Sequence, residues 1–107
     1  MSNADLLNKY SPTGPERGGL IQSDGSILEL ENIAENPEHG FAADSMSLIE
    51  HLDDAIGTWH THPGQTANLS SEDWEAFIQF EHFKHAIVGS DGVRWYETKG
   101  LAVINVS

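Results

Sequence analysis

Residues 55–73 read AIGTWHTHPGQTANLSSED, and the organisation of the rest of the chain follows from them. The apolar and aromatic start of this segment, residues 55–61, is typical of a short buried strand. Pro63 and the glycine after it end that strand and turn the chain. Because alternate side chains of a strand share a face, His60 and His62 are expected to point the same way, about 6.5–7 Å apart along the chain.

The end of the segment supplies a third polar group. Residues 70–73 (SSED) have the pattern of a helix N-terminus, with Ser70 as the cap and acidic residues at the positive end of the helix dipole. From the first turn of that helix, Asp73 can bring a carboxylate back toward His60 and His62. Two neutral imidazoles and one carboxylate with an open fourth position are typical of a catalytic zinc site.

Each half of this pattern has an ordinary alternative, a polar strand face for the histidines and a simple helix cap for Ser70. The joint pattern, His-x-His-Pro followed after six intervening residues by Ser-x-x-Asp, should arise by chance in only about one chain in 100,000. The sequence therefore predicts one zinc ion per chain, held by His60, His62 and Asp73.

The same residues resemble the JAMM motif of the MPN-domain metallopeptidases. The resemblance extends upstream to residues 15–21 (PERGGLI), which look like the family's Glu-x-x-Gly-hydrophobic segment. Asn32, residues 41–44 and the Gly57-x-Trp59 pair follow in the family's usual order. The resemblance covers most of the chain and is closest to the small prokaryotic and phage-type members.

The resemblance implies a zinc metallopeptidase that hydrolyses a peptide or isopeptide bond. Glu16 would act as general base on a zinc-bound water, and the Ser70 hydroxyl would stabilise the oxyanion of the tetrahedral intermediate. Taken alone, Glu16 could be an ordinary loop glutamate and Ser70 a pure helix cap. The alternative function is a catalytically idle MPN scaffold or interaction module, for example in phage tail assembly.

Composition narrows the function classes. The 17 Asp and Glu against 5 Lys and Arg give a formal net charge of −12, which argues against nucleic acid as a partner. No apolar run approaches the ~20 residues of a membrane span, so no membrane partner is expected. Cysteine is absent, which fits a reducing compartment and excludes the Cys-x-x-Cys signature of nucleobase deaminases. The expected location is cytoplasmic, or virion- or tail-associated if the protein is phage-encoded.

At 107 residues, the chain is expected to form a single domain over residues 1–107. Asp-Gly pairs at 24–25 and 91–92 predict two hairpin turns. Strands are predicted at 18–22, 27–31, 41–43, 55–61, 86–89, 93–98 and 101–106, and helices within 1–10, from the Asp44 cap to Leu52, and over 71–83. This order favours an α+β or mixed α/β domain with one sheet and helices packed on it. The resemblance implies the MPN fold, a single curved mixed sheet of about six strands flanked by two or three helices.

Some side chains are assigned to the core or surface. Trp59 is expected in the core on the strand face opposite the two histidines, and Trp74, Phe77 and Ile78 on the buried face of the 71–83 helix. His39, His51, His82 and His85 are interpreted as surface or core residues.

The predicted elements leave no spare segment between Glu16 and His60, or after Asp73, to grip a folded modifier protein. A peptide or isopeptide-linked protein with an exposed bond is therefore the expected substrate, and association as a homodimer is left open.

Overall fold

A computed structural model describes residues 3–107, which form three helices and six strands. The helices are α1 (Asn3–Leu7), α2 (Ser45–Leu52) and α3 (Ser71–Phe77). The strands are β1 (Gly18–Gln22), β2 (Ile27–Leu30), β3 (Ala55–Thr61), β4 (Lys84–Gly89), β5 (Gly92–Lys99) and β6 (Ala102–Asn105). Among these residues, no helix has the length and apolar character needed to span a bilayer.

The strands form one sheet in the order β2-β1-β3-β4-β5-β6. β3 and β4 run parallel and are connected through α3, whereas the other neighbouring pairs are antiparallel. The predicted α+β class, with a mixed six-stranded sheet flanked by helices, is confirmed. Both predicted Asp-Gly hairpins are present, and Asp44 caps α2 by accepting a hydrogen bond from the Ser47 amide.

The two faces of the sheet bury separate apolar clusters. Under α1 the cluster consists of Leu6, Ile21, Trp59, Ala86 and Val88. Under α3 it consists of Ala67, Phe77, Ile87 and Tyr96. Trp59 is only 1% exposed and belongs to the α1 side, which confirms the prediction that it lies opposite the histidines. The α3 face is therefore the face on which His60 lies.

Two glycines allow backbone segments to approach more closely than any side chain permits. A Cβ atom on Gly19 of β1 would lie 1.9 Å from the carbonyl oxygen of Leu28 on β2. A Cβ atom on Gly89, at the end of β4, would lie 2.2 Å from the amide nitrogen of Ala67. Gly89 therefore lets the 66–67 loop cross the end of β4, beside the histidines.

The prediction of a helix to Phe83 is wrong, because α3 ends at Phe77. Residues 78–83 form turns, and His82 has a φ of +71°, which an α-helix does not accommodate. Phe80 and Phe83 stack on each other at 5.5 Å within these turns rather than continuing a helical face. The chain thereby reverses in time to enter β4 at Lys84, two residues earlier than predicted.

Side-chain burial on α3 also differs from the prediction. Phe77 is buried, but Trp74 and Ile78 are only half-buried. The Trp74 indole Nε1–H donates to the carbonyl of Leu101 at 2.8 Å, so its ring lies near the surface beside the β5–β6 turn. Of the three residues predicted to form the buried face of α3, only Phe77 is a core residue.

The predicted strand at 41–43 is not formed, since this segment is an irregular loop. Its backbone makes isolated hydrogen bonds: Ala42 accepts from the Ile33 amide at 2.8 Å and donates to the Asn32 side chain at 3.3 Å. The Asn32 side-chain oxygen thus accepts the hydrogen bond that the Ala42 amide would donate to a neighbouring strand in a sheet. At the N-terminus, helix α1 spans only part of the predicted 1–10 region, and Met1 and Ser2 lie outside the described residues.

Candidate metal centre

The end of β3 brings the two predicted histidines together. His60 is paired with Gly18 of β1 on one side and Ile87 of β4 on the other. The amide of His62 donates to the carbonyl of Val88 at 2.8 Å, which extends the pairing one residue past the strand. Both residues are 8% exposed, and their Nε2 atoms lie 3.1 Å apart.

Asp73 reaches both imidazoles from the first turn of α3. Its Oδ1 lies 2.8 Å from His60 Nε2, and its Oδ2 lies 3.1 Å from His62 Nε2. The Ser70 amide donates to Asp73 Oδ2 at 3.0 Å, and the Asp73 amide donates to Ser70 Oγ at 3.1 Å. This reciprocal capping box confirms Ser70 as the helix cap and orients the Asp73 carboxylate toward the histidines.

Two of these groups, His62 and Asp73, meet as electron-pair donors. The His62 Nδ1–H donates to the carbonyl of Thr66 at 3.0 Å, so the neutral ring directs the lone pair of Nε2 at Asp73. A lone pair facing a carboxylate oxygen at this distance is stable only with a proton or a cation between them. Ligands of a tetrahedral zinc with bonds of 2.0–2.1 Å lie about 3.3 Å apart, close to the separations of these atoms. The residues therefore fit a zinc ion.

Burial and ion pairing shift the pKa values of these groups. Burial opposes ionisation of Asp73, but hydrogen bonds with His60 and His62 outweigh it and hold the pKa of this carboxyl far below its usual range. Burial would lower the pKa of His62, yet its hydrogen bonds with Asp73 and Thr66 raise it overall. Without a metal, the site therefore attracts a proton to the position between His62 and Asp73.

Glu16 reaches His60 and His62 from the side of β1, the strand that pairs with β3 on the edge away from β4. It directly precedes β1, and the next residue, Arg17, exchanges two hydrogen bonds with Thr61 on β3 at 2.8 and 2.9 Å. One carboxylate oxygen of Glu16 and one nitrogen from each of His60 and His62 all lie within 4.8 Å of one another. Asp73 contacts both Nε2 atoms more closely, so Asp73 is the better third ligand and Glu16 the better proton acceptor.

The electrostatic environment of Glu16 suits that role. Burial raises the pKa of its carboxyl above the ordinary value of 4.5, and the negative charge of Asp73 adds to this, whereas His60 and His62 oppose it. A carboxylate with a raised pKa accepts a proton more readily near neutral pH.

The Asn32 side chain holds the segment that carries Glu16 by hydrogen bonds, a role that the spacing of residues in the sequence does not indicate. Its side-chain Nδ2 donates to the carbonyls of Glu16 at 2.8 Å, Gly40 at 2.9 Å and Pro37 at 3.3 Å. Its Oδ1 accepts from the amide of Ala34 at 3.0 Å. One side chain therefore joins the Glu16 backbone to the 32–42 loop.

Replacing Asn32 by alanine should lower the free energy of unfolding by about 2–3 kcal/mol, because several partly buried carbonyls lose their donor. The shift of the midpoint in urea denaturation measures this change. Asn36→Ala, at an exposed position of the same loop, is the matched control. Equal midpoints for the two variants would contradict the role given to Asn32.

His85 is the core histidine beneath the centre. Its side chain is fully buried, its Nδ1 lies 2.7 Å from Thr58 Oγ1, and its ring stacks on Phe77 with centroids 4.1 Å apart. Phe77 in turn meets the His60 ring edge-on at 6.0 Å. Burial lowers the pKa of His85 to about 4. Of the two environments predicted for this histidine, surface and core, it occupies the core.

The buried His85 predicts a pH dependence of stability. Its folded pKa of about 4 lies below the ordinary 6.5, so the unfolded chain binds a proton first as the pH falls. The free energy of unfolding has its full value above pH 6.5 and falls on acidification, by up to about 3 kcal/mol at pH 4. In the metal-free protein, urea denaturation at pH 7 and pH 4 should show a smaller loss for His85→Gln than for the parent. His51→Gln should keep the full loss, and an unchanged loss in His85→Gln would contradict the assignment.

A cavity of about 390 Å³ opens over the centre. Glu16, His60, His62, Ser70 and Asp73 all line it, so the structure brings together every residue predicted for the site. His39, which has no motif partner in the sequence, also lines the cavity. Thr66 contributes through its backbone carbonyl, for which the side-chain type gives no signal.

Fold and site together define an α+β protein with a candidate metal centre at the end of its central strand. No protein-family model and no curated protein matches the chain. Among solved structures, the chain is similar to the solution structure of protein DSY2949 from Desulfitobacterium hafniense, with a TM-score of 0.69 and 22% sequence identity. That match covers 95% of this chain and 83% of the other. At this identity the similarity establishes the fold alone.

Proposed function

We propose that this chain is a zinc-dependent metallopeptidase of the JAMM type that hydrolyses a peptide or isopeptide bond. The observation that carries the proposal is the convergence of His60 Nε2, His62 Nε2 and the Asp73 carboxylate within 2.8–3.1 Å of one another, beside Glu16 and inside a cavity. Structural zinc sites are closed by four protein ligands, whereas catalytic sites keep a position open. Three converging groups and a nearby free carboxylate suit the catalytic kind.

His60, His62 and Asp73 would hold the zinc ion. A bound zinc ion polarises a carbonyl and lowers the pKa of a water molecule toward ~7, which makes a nucleophile available at neutral pH. Thr66 and Ser70 support the ligands, because each fixes the orientation of one of them by a hydrogen bond.

Glu16 would move the proton. Its carboxylate accepts a proton from the water that attacks the carbonyl carbon, and then gives that proton to the leaving amine as the C–N bond breaks. The products are a carboxylic acid and an amine, and the Glu16 carboxylate is restored. Ser70 Oγ accepts a hydrogen bond from the Asp73 amide. The hydroxyl hydrogen of Ser70 is then free to donate to the oxyanion of the substrate.

The arrangement of elements suits a small or extended substrate. Between Glu16 and His60 the described chain consists of the β1–β2 hairpin, the 32–44 loop and α2, and after Asp73 it continues as α3 and three strands. None of these described segments is an insertion large enough to hold a folded modifier protein. The substrate we propose is therefore an exposed peptide or isopeptide, with a cytoplasmic setting or, for a phage-encoded protein, a virion or tail setting.

A direct assay tests the proposal. The zinc-loaded protein is offered fluorogenic peptides, cell-wall peptides, a small modifier conjugate and lysine-linked diubiquitin. We expect cleavage of a small amide that a chelator abolishes and added zinc restores, with little action on diubiquitin. Absence of zinc-dependent cleavage across this set would contradict the proposal, and efficient linkage-selective cleavage of diubiquitin would contradict the substrate size.

One observation favours the alternative of a noncatalytic interaction module. Three apolar side chains of α2 and the preceding loop are strongly exposed: Ile33 at 53%, Met46 at 71% and Ile49 at 63%. Helix α2, which carries two of them, buries none of its residues fully. A scaffold would retain specific protein association through this surface while showing no zinc-dependent cleavage in the same assay.

A further inference from the structure

We propose that the cavity selects a cationic peptide segment, one in which a bulky apolar side chain next to the scissile bond is flanked by lysine or arginine. This inference rests on the proposed peptidase function for the position of the scissile bond. It goes beyond that function by naming the chemistry of the substrate. Shape and charge of the cavity support it independently of any catalytic step.

Apolar side chains from three parts of the chain line the cavity. Leu20 of β1 is one of them, and it pairs directly with Thr58 of β3, two residues before His60. Phe41 and Leu48 come from the loop before α2 and from α2 itself, and Phe80 comes from the turns just after α3. A volume of about 390 Å³ lies at the small end of the range for ligand sites and suits one large side chain with its adjoining backbone.

The charged side chains that line the cavity are acidic. Besides Glu16 and Asp73, they include Glu38 in the 32–44 loop and Glu72 in the first turn of α3. Among the described residues, no lysine or arginine lines the cavity. Four carboxylates carry a formal charge of −4, and a single divalent cation at the centre reduces this only to −2.

Three of the protein's five lysine and arginine side chains form ion pairs outside the cavity lining. Arg17 forms an ion pair with Glu29 at 2.6 Å, and Arg94 forms one with Asp91 at 2.6 Å. Lys9 also approaches Glu29, at 3.7 Å. Because neither these three nor the remaining lysines line the cavity, its carboxylates have no lysine or arginine partner there among the described residues, and a cleft lined by charges of one sign concentrates ligands of the opposite sign.

Binding can be measured without turnover. Fluorescent five-residue peptides with central Phe-Arg, Phe-Glu, Phe-Gln and Ala-Arg pairs are titrated into the zinc-loaded Glu16→Gln protein, whose cavity keeps three of the four carboxylates and a formal charge of −1, and binding is followed by anisotropy. We expect the Phe-Arg peptide to bind about 10-fold more tightly than Phe-Glu at low salt, corresponding to about 1.4 kcal/mol, and Phe-Arg to bind more tightly than Ala-Arg. The preference for arginine should shrink as salt is added.

Matched variants locate the effect. Glu38→Gln and Glu72→Gln should each reduce the Phe-Arg to Phe-Glu ratio by about 2–3-fold. Their controls are Glu35→Gln in the same loop and Glu75→Gln on the same helix, both exposed and outside the cavity lining, which should leave the ratio unchanged. For the apolar part, Leu48→Asn should weaken the preference for Phe over Ala, and Ile49→Asn should not.

The outcomes separate this inference from the proposed function. Charge-selective binding together with absent amide cleavage would support the cavity inference and contradict the peptidase. Amide cleavage together with equal affinity for Phe-Arg and Phe-Glu would support the peptidase and contradict the cavity inference. Equal reduction of the ratio by Glu72→Gln and Glu75→Gln, or no binding of any peptide, would overturn the inference.

Discussion

Replacing Glu16 by glutamine should lower kcat for amide hydrolysis by about 10²–10⁴-fold while the protein keeps its zinc. Glutamine preserves the size of the side chain and its place beside His60 and His62, but it cannot accept a proton. Asp73, not Glu16, makes the short contacts to both Nε2 atoms, so loss of the Glu16 charge should leave the ligand set intact.

Steady-state kinetics and zinc analysis on the same preparation measure this separation of chemistry from metal affinity. Glu35→Gln, an exposed glutamate of the neighbouring loop, is the matched control and should keep both properties. Turnover of the Glu16→Gln protein within a factor of two of the parent would show that another group is the base. Loss of zinc together with turnover would make Glu16 a ligand instead.

Replacing His62 by alanine should abolish zinc binding and, with it, all turnover. A three-ligand site has no ligand to spare, so the loss of affinity should exceed the ~10–100-fold that removal of a supporting partner typically causes. Zinc stabilises the folded state in proportion to its affinity, so added zinc should raise the Tm of the parent but not of His62→Ala.

Elemental analysis after dialysis and thermal denaturation with and without zinc test this second prediction. His51→Ala, at a partly exposed position of α2, is the control and should respond to zinc as the parent does. Full zinc occupancy in His62→Ala would contradict the assignment of this histidine as a ligand.

Much of this fold follows from local sequence signals. The Asp-Gly turns, the Asp44 cap of α2 and the period-two pattern around Trp59 each act over a few residues, and all three predictions are confirmed. The positions of His60, His62 and Asp73 also follow from local rules, because a strand places alternate side chains on one face and a capping box orients the third helical residue.

The remaining features depend on tertiary contacts. The apolar spacing of Phe77, Phe80 and Phe83 is compatible with a longer helix, but turns at residues 78–83 follow α3 and lead into β4, which runs parallel to β3. The Asn32 side chain bonds to the backbone of the 41–43 segment where a neighbouring strand would do so in a sheet. The periodicity of apolar residues does not predict such a contact. The burial of His85 under Phe77 likewise requires the packed sheet, so its low pKa could not be predicted from the chain alone.

Anomalous X-ray diffraction at the zinc edge, on crystals of the zinc-loaded protein, tests directly whether His60, His62 and Asp73 hold the metal. We expect one strong anomalous peak per chain, within bonding distance of His60 Nε2, His62 Nε2 and an Asp73 carboxylate oxygen, with Glu16 outside bonding distance. A zinc ion bound elsewhere on the acidic surface, or a zinc-loaded preparation without a peak between the two histidines, would contradict this assignment.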